Sequence, residues 1–372
     1  LPLDIAHSIA RRTAILEYEP RAVVTTASLR EEAPALGCPL VIADEGAVPP
    51  DSTGLDEITR LADDLPAYVM FTSGSTGNSQ AVTISRGALA SYSDALSAAL
   101  GIDAADVCLH TASFSFSASI RQLIAPLTAR ASLVVADEEA RHDPFRLLAL
   151  MKRQGITVWD TVPSLWGVVE QVLSKRARPD GDISLSETVR LILLTGEPLS
   201  WELVTAWRRH LSDSVTIMNL YSQTETAGTV ARFEIPGGSI PATGTVPLGE
   251  PLPDVAVVLL DDHYQAVLPG QDGEIHVVSD RLALDCVSIE APTRDLILGT
   301  VKIGNASSRV YPTGDFARLE KDGSLTPVGR RDDRVKVRGF RINLLEIERA
   351  LASDPRIERA VVMTDSRGAL VA

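Results

Sequence analysis

From residue 21 to residue 220, short β-branched, almost continuously apolar runs take turns with stretches of helical periodicity. The candidate strands are 21–26, 40–42, 68–72, 132–136, 157–161, 191–194 and 215–220, and the helical patterns fall at 86–100, 144–154, 164–173 and 200–211. Runs that are apolar throughout belong to strands buried on both faces, and strand–helix–strand succession places helices on both sides of a parallel sheet. After about residue 233 the texture changes: Gly and Pro become frequent, and the runs 254–260 and 274–278 are short and strand-like. That predicts an antiparallel, barrel-like subdomain ending near residue 327. A charged segment follows, then a new strand and a helix at 344–351. The expected fold is α/β, with two helix-flanked, mainly parallel sheets, the barrel-like unit and the start of a small α+β domain. The expected divisions are residues 1–236, 237–328, a hinge at 329–334, and 335–372.

Composition narrows the partners. The chain of 372 residues exceeds one ordinary core. Its net charge of −14 repels a phosphate backbone, which makes nucleic acid a poor partner. No apolar run approaches bilayer length, and no signal peptide opens the sequence, so a membrane association is not expected. Cys38, Cys108 and Cys286 are too few and too far apart for a disulfide framework or a zinc cluster, and a reducing, cytoplasmic setting fits best.

Four segments carry chemistry. Thr72-Ser73-Gly74-Ser75-Thr76-Gly77 exposes backbone N–H groups and four hydroxyls after a strand, which suits either a phosphate cradle or a plain Ser/Gly hairpin loop. It lacks the Gly-Lys-Ser/Thr ending of a Walker loop, which argues against a P-loop phosphotransferase. Asn219-Leu220-Tyr221-Ser222-Gln223-Thr224-Glu225 sits at the end of an apolar strand, where ligands of parallel sheets gather. There Glu225 serves either as a Mg²⁺ ligand or as a first-turn residue favoured by a helix dipole. Tyr311-Pro312-Thr313-Gly314-Asp315 reads as a turn whose carboxylate either accepts two ribose hydroxyls or closes an Asx turn. The run from Gly329 to Arg341 concentrates cations, for phosphates or as a solvated face.

In this order the four segments resemble the adenylate-forming superfamily, and among its members the nonribosomal peptide synthetase adenylation domains most. Leu1-Pro2-Leu3-Asp4, Ala112–Ser119, Val162-Pro163-Ser164-Leu165, Leu194–Pro198 and Gly273–Val277 fill the remaining places of the family's motif series. The resemblance implies ATP and Mg²⁺ as cofactors, a small carboxylic acid as substrate and an acyl-adenylate as product. The acceptor would be the phosphopantetheine thiol of an acyl or peptidyl carrier protein, with coenzyme A as the alternative. It implies that Thr72 to Gly77 hold the β- and γ-phosphates. Thr224 would meet the α-phosphate and Glu225 the metal. Gly196, Glu197, Pro198 and the backbone of Asn219, Leu220, Tyr221 and Ser222 would flank adenine. Asp315 would take the ribose hydroxyls, Arg330 would stand beside ribose and phosphate, Arg341 would lie on the small domain's near edge, and Asp332 would be its hinge. The acid pocket would be Ser117, Ala118, Arg121, Asp160, Leu193, Thr195, Leu220, Gly228 and Thr229. The family's complete domain extends past both ends of these 372 residues, so the chain reads as a fragment.

Two departures bear on function. Ser79-Gln80-Ala81 stands where the family has Pro-Lys-Gly, so Gln80 keeps a donor but loses a charge. In Phe116-Ser117-Ala118-Ser119, Ser117 replaces the Asp that meets an α-ammonium. A buried ammonium without a counter-charge is costly, so a standard α-amino acid is disfavoured. Candidates are β-amino, hydroxy, keto or dicarboxylic acids. Arg121 and Asp160 either pair with each other, or Arg121 holds a second carboxylate, or Asp160 holds a displaced amine. The losses at Gln80 and Ser117 also admit a degenerate, structural domain. His110, Cys108, Cys286, Trp159 and Trp166 read as packing residues.

Overall fold

The computed structural model describes residues 2–4, 15, 20–32, 39–44, 61–73, 79–175, 188–288, 300–303, 306–330, 334–337, 340–352, 356–357, 360–364 and 370–372. In chain order, β1 (Val23–Thr25) pairs in parallel with β2 (Leu40–Ile42). Next come β3 (Pro66–Ser73), β4 (Ser79–Ser85) and helix α1 (Arg86–Leu100). The ends of α1 are written in the sequence. The Ser85 hydroxyl accepts from the Ala88 N–H at the start, and Gly101 takes the left-handed conformation that stops the helix.

Strand β5 (Val107–His110), helix α2 (Ser117–Thr128), β6 (Ser132–Val135), α3 (Pro144–Gln154), β7 (Val158–Thr161), α4 (Pro163–Lys175), β8 (Leu191–Thr195), α5 (Trp201–Trp207) and β9 (Thr216–Gln223) form the helix-flanked parallel unit. Its strands run in the order β9-β8-β7-β5-β6, all parallel. β10 (Gly228–Glu234) and β11 (Glu250–Pro251) extend it antiparallel to seven strands. All five residues of β8 are buried, as a strand covered on both faces requires. Ile192 and Leu194 pack with Trp166 and Trp207 on one face, and Leu191 and Leu193 with Tyr92 and Leu96 on the other. On the first face the Trp207 ring stacks on Trp166 at 4.8 Å, and its indole N–H donates to the Trp166 carbonyl at 2.9 Å.

The Gly/Pro-rich region forms a five-stranded antiparallel sheet from β12 (Ala256–Leu260), β13 (Asp272–Val278), β15 (Thr300–Ile303), β16 (Ala306–Leu319) and β17 (Leu325–Arg330). Between them β14 (Asp285–Ser288) returns to β4, giving the antiparallel sheet β14-β4-β3. A second mainly parallel sheet was expected; among the described residues β14-β4-β3 is antiparallel throughout, and β1–β2 is a separate parallel pair. The hairpin β18 (Arg334–Val337) and β19 (Phe340–Asn343) leads into α6 (Leu344–Ala352).

Three local expectations change. β5 and β10 are strands that the pattern reading did not single out, because β5 ends in His110 and β10 opens on Gly228. The stretch Tyr311–Asp315 is a bulge inside the long strand β16 and not a connecting turn. There Glu274 opposes Phe316 but His276 opposes Pro312, so extra residues are accommodated on one strand. No helix among the described residues is long and apolar enough to cross a membrane.

Candidate active site

The C-terminal ends of β8 and β9 face the bulge of β16 and the end of β17 across a cleft of about 350 Å³. Gly196, Glu197, Pro198, Asn219, Leu220 and Tyr221 form one wall, and Asp315, Arg330, Arg334 and Lys336 stand on the other. Eight residues expected around a nucleotide therefore meet in one place, from strands β9, β16 and β17 and the loop after β8.

Asp315 is the centre of that wall. Its Oδ2 accepts from the Tyr221 hydroxyl at 2.7 Å and from the Gln223 amide, and its Oδ1 accepts from Arg330. A second Arg330 nitrogen donates to the Thr313 carbonyl at 3.1 Å. Gly314 makes this approach possible. Its φ is +70°, and a Cβ there would lie 2.4 Å from the Arg330 guanidinium. The Glu274 carboxylate accepts from the Gly314 N–H at 2.9 Å and fixes the bulge. Burial, reinforced by the Asp315 charge, pushes the Tyr221 phenol well above its ordinary pKa, so it stays a neutral donor. The Lys336 ammonium lies 5.7 Å from the centre of the Tyr221 ring.

On the opposite wall, two expected nucleotide residues have protein partners of their own. Glu197 accepts from the Ser164 N–H at 2.8 Å and its hydroxyl at 3.1 Å, which ties the Gly196–Pro198 loop to the first turn of α4. The Asn219 amide donates to the Pro247 carbonyl at 2.8 Å. Ser222 lies outside the cleft lining, its hydroxyl 3.1 Å from that of Thr195.

β9 ends in a short turn, Thr224–Thr226. Thr224 donates to the Ser117 hydroxyl at 3.0 Å, and Glu225 is 2% exposed. The backbone leaves this turn through Ala227 at φ +59° and Gly228 at φ +129°, where a Cβ would strike the Tyr92 ring. Among the described residues no three His, Cys, Asp or Glu side chains converge as a metal cage. One buried carboxylate suits Mg²⁺, which takes few protein ligands and fills its shell with phosphates and water.

The segment expected to hold phosphates falls between β3 and β4, where Ser73 stands opposite Ser79. Gly74, Ser75, Thr76 and Gly77 lie outside the described residues, as does Asp332; for Ser73 and Arg341 only the backbone is described, in β3 and β19. At the base of the loop the buried Thr72 hydroxyl finds no hydrogen-bond partner among the described residues, and Gln80 stands opposite it in register.

Of the three alternatives for Arg121 and Asp160, the structure takes the pairing. Arg121 Nε and a terminal nitrogen meet the two Asp160 oxygens at 2.7 and 2.9 Å, with side chains 1% and 5% exposed. Burial works to lower the guanidinium pKa, but the Asp160 charge outweighs it and leaves it raised. Leu193, Thr195, Leu220 and Thr229 are buried, with Thr229 3.5 Å from Arg121, while Ser117 and Ala118 are half-buried on the first turn of α2. Gln223, Tyr92, Arg281 and Arg334 join this architecture without having been expected. Gln223 lay inside a motif already marked. Tyr92, on a helix 137 residues before the Thr229 it contacts, offers no local signal. His110, Cys108, Cys286, Trp159 and Trp166 are buried, and burial pushes the Cys108 thiol up to about 12.

A family model described as AMP-binding enzyme matches residues 2–284. Vanchrobactin synthetase VabF of Vibrio anguillarum is 29% identical over 365 residues, covering 97% of this chain and 13% of that protein. Pyochelin synthetase PchF of Pseudomonas aeruginosa is 32% identical over 368 residues, covering 98% of this chain and 19% of that protein. The chain thus spans less than a fifth of either relative. Among solved structures, holo-PA1221, a nonribosomal peptide synthetase protein containing adenylation and PCP domains, superposes with a TM-score of 0.81 at 24% identity, covering 99% of this chain and 61% of that one. The class so defined is that of proteins with the fold shared by PA1221. The chain belongs to the AMP-binding enzyme family.

Proposed function

We propose that this chain binds ATP with magnesium, condenses it with a small carboxylic acid to an acyl-adenylate, and passes the acyl group to a carrier-protein phosphopantetheine thiol. One observation carries the reading: Asp315, Arg330, Tyr221 and the Gly196–Pro198 loop meet in a single cleft. Asp315 is aimed for the ribose hydroxyls by Tyr221, Gln223 and Arg330. Thr224 and Glu225 follow on the same strand end and stand for the α-phosphate and metal contacts. A bound Mg²⁺ would neutralise phosphate charge and so ease attack by a second anion. An acid oxygen attacks the α-phosphorus, the bond to the β-phosphate bridge breaks, and pyrophosphate leaves. In the second step the thiolate attacks the acyl carbon and AMP departs.

The PCP domains named in PA1221 favour a carrier protein over coenzyme A. Ser117, in place of an Asp, favours an acid without a conventionally held α-ammonium. The test is pyrophosphate exchange by the full-length protein with a panel of carboxylic acids, alongside Asp315→Asn. We expect acid-dependent exchange that drops at least about tenfold in the variant. ATP binding without exchange for any acid supports the degenerate alternative. Transfer to free coenzyme A but not to a carrier protein overturns the acceptor.

A further inference from the structure

Where the acid pocket is expected, buried charge is already neutralised from within. Arg121 projects from α2 one turn after Ser117, and Asp160 stands in β7, so the pair ties helix to sheet. A third Arg121 nitrogen reaches the Thr229 hydroxyl at 3.5 Å, and the Tyr92 hydroxyl lies 3.1 Å from the same oxygen. The Asp160 backbone is held too, because its carbonyl accepts from Gln122 at 3.1 Å. On the far side of Thr229 a second buried cation, Arg281, donates to the Thr229 carbonyl, lies 5.2 Å from the centre of the Tyr92 ring and pairs with Asp254 at 3.2 Å. Arg281 Nε has no hydrogen-bond partner among the described residues, but its charge has one in Asp254.

Nearer the nucleotide cleft, Ser117 receives a hydrogen bond from Thr224 at 3.0 Å. It therefore directs its own proton elsewhere, and it donates no hydrogen bond to a described residue. Leu193, opposite Asp160 in register, and Leu220 belong to one buried apolar cluster.

We infer that this pocket selects a 2-oxo or 2-hydroxy acid with an uncharged, largely apolar side chain: the Arg121–Asp160 pair refuses a charged tail, and Ser117 donates to the oxygen on the second carbon. This rests on the adenylation reading above and narrows it. A second carboxylate, or a β-amine, finds each candidate counter-ion engaged. Admitting it means breaking a buried pair, a penalty on the order of 100-fold or more in selectivity. A 2-amino group fares no better, since Ser117 brings no charge to it.

The experiment is pyrophosphate exchange with 2-oxo-3-methylbutanoate, 2-hydroxy-3-methylbutanoate, 3-methylbutanoate, valine, 3-aminobutanoate and 2-oxoglutarate, with ATP binding followed separately by calorimetry. The oxo or hydroxy acid should exceed 3-methylbutanoate by about fivefold to tenfold in kcat/KM, a margin that Ser117→Ala erases. It should exceed valine, 3-aminobutanoate and 2-oxoglutarate by about 100-fold. Asp160→Asn, which strips Arg121 of its partner, should narrow the gap to 2-oxoglutarate at least about tenfold. If that variant does not fold, the double change Arg121→Met with Asp160→Leu removes both charges at similar volume and should keep the preference for uncharged acids. A wild-type preference for any of the three charged acids overturns the inference, as does an unchanged ranking in Ser117→Ala. Intact ATP binding with no exchange for any of the six acids overturns it as well. Loss of ATP binding itself sinks the adenylation reading beneath it.

Discussion

The Tyr221 hydroxyl donates to the Asp315 carboxylate at 2.7 Å, joining the parallel sheet to the barrel-like sheet across 94 residues of chain. One hydrogen bond thus couples the wall expected to flank a base with the carboxylate expected to hold a ribose. The Gln223 amide donates to both members of the pair, so the three side chains form one unit.

Tyr221→Phe removes the donor and leaves Gln223 with one fewer acceptor. We expect a loss of about 1 kcal/mol in unfolding free energy and an ATP affinity lowered by about threefold to tenfold. Urea titration and calorimetry read the two effects. Full stability together with wild-type affinity shows that the contact does not orient Asp315.

Gln80 occupies the second position of β4, opposite Thr72 and next to the segment proposed to hold phosphates. A lysine there would exchange a neutral hydrogen bond to phosphate for a charge-assisted one, worth about 1.5 kcal/mol. Gln80→Lys should therefore lower the ATP KM by about tenfold. An unchanged KM places residue 80 away from the phosphates.

Asp106 is buried and accepts from Arg190 and from the Thr157 hydroxyl. Burial alone raises its pKa, but the bonds from Arg190, from backbone and from Thr157 outweigh it, and the net direction is down. A depressed carboxylate adds stability above its unfolded pKa of about 3.9, and that stability is lost as pH falls through the lower folded value. The advantage of wild type over Asp106→Asn should be complete above about pH 4 and shrink below it. Urea midpoints measured from pH 2 to pH 6 decide the matter, and a gap independent of pH contradicts it.

Trp207 stacks on Trp166 with an interplanar angle of 5° and meets Trp159 edge-on at 5.7 Å. All three rings are fully buried. Trp207→Ala should cost about 3–5 kcal/mol, with the remaining tryptophan fluorescence shifted to the red. Urea unfolding checks the first figure; a loss below about 1 kcal/mol would mean that the site collapses without a cavity.

Helix boundaries were among the most legible features, because their signals are local. Asp143 caps α3 by accepting from the Phe145 N–H, Pro144 opens it, and Gly155 closes it at φ +62°. The candidate helix at 144–154 matches α3 residue for residue. The candidate at 200–211 overruns α5, which ends at Trp207. Apolar continuity similarly marked β8. β10 escaped notice because it is held by its neighbours β9 and β11, not by its own pattern.

For the site, the amino-acid order alone determined which residue types stand at breaks in regular structure: the Thr/Glu turn after β9, the Asp after Gly314 in the β16 bulge and the Ser at the start of α2. Those are local facts, set by backbone preference and by the periodicity of burial. Only the tertiary structure decided what each charge faces. Arg121 and Asp160, 39 residues apart, carried three readings until helix α2 lay on the sheet and the low-dielectric interior left each the other as its counter-charge. Glu197 was likewise free on paper to meet a base, and in space it is held by Ser164. A side chain's partner depends on which distant surface packs against it, and no spacing along one chain encodes that direction.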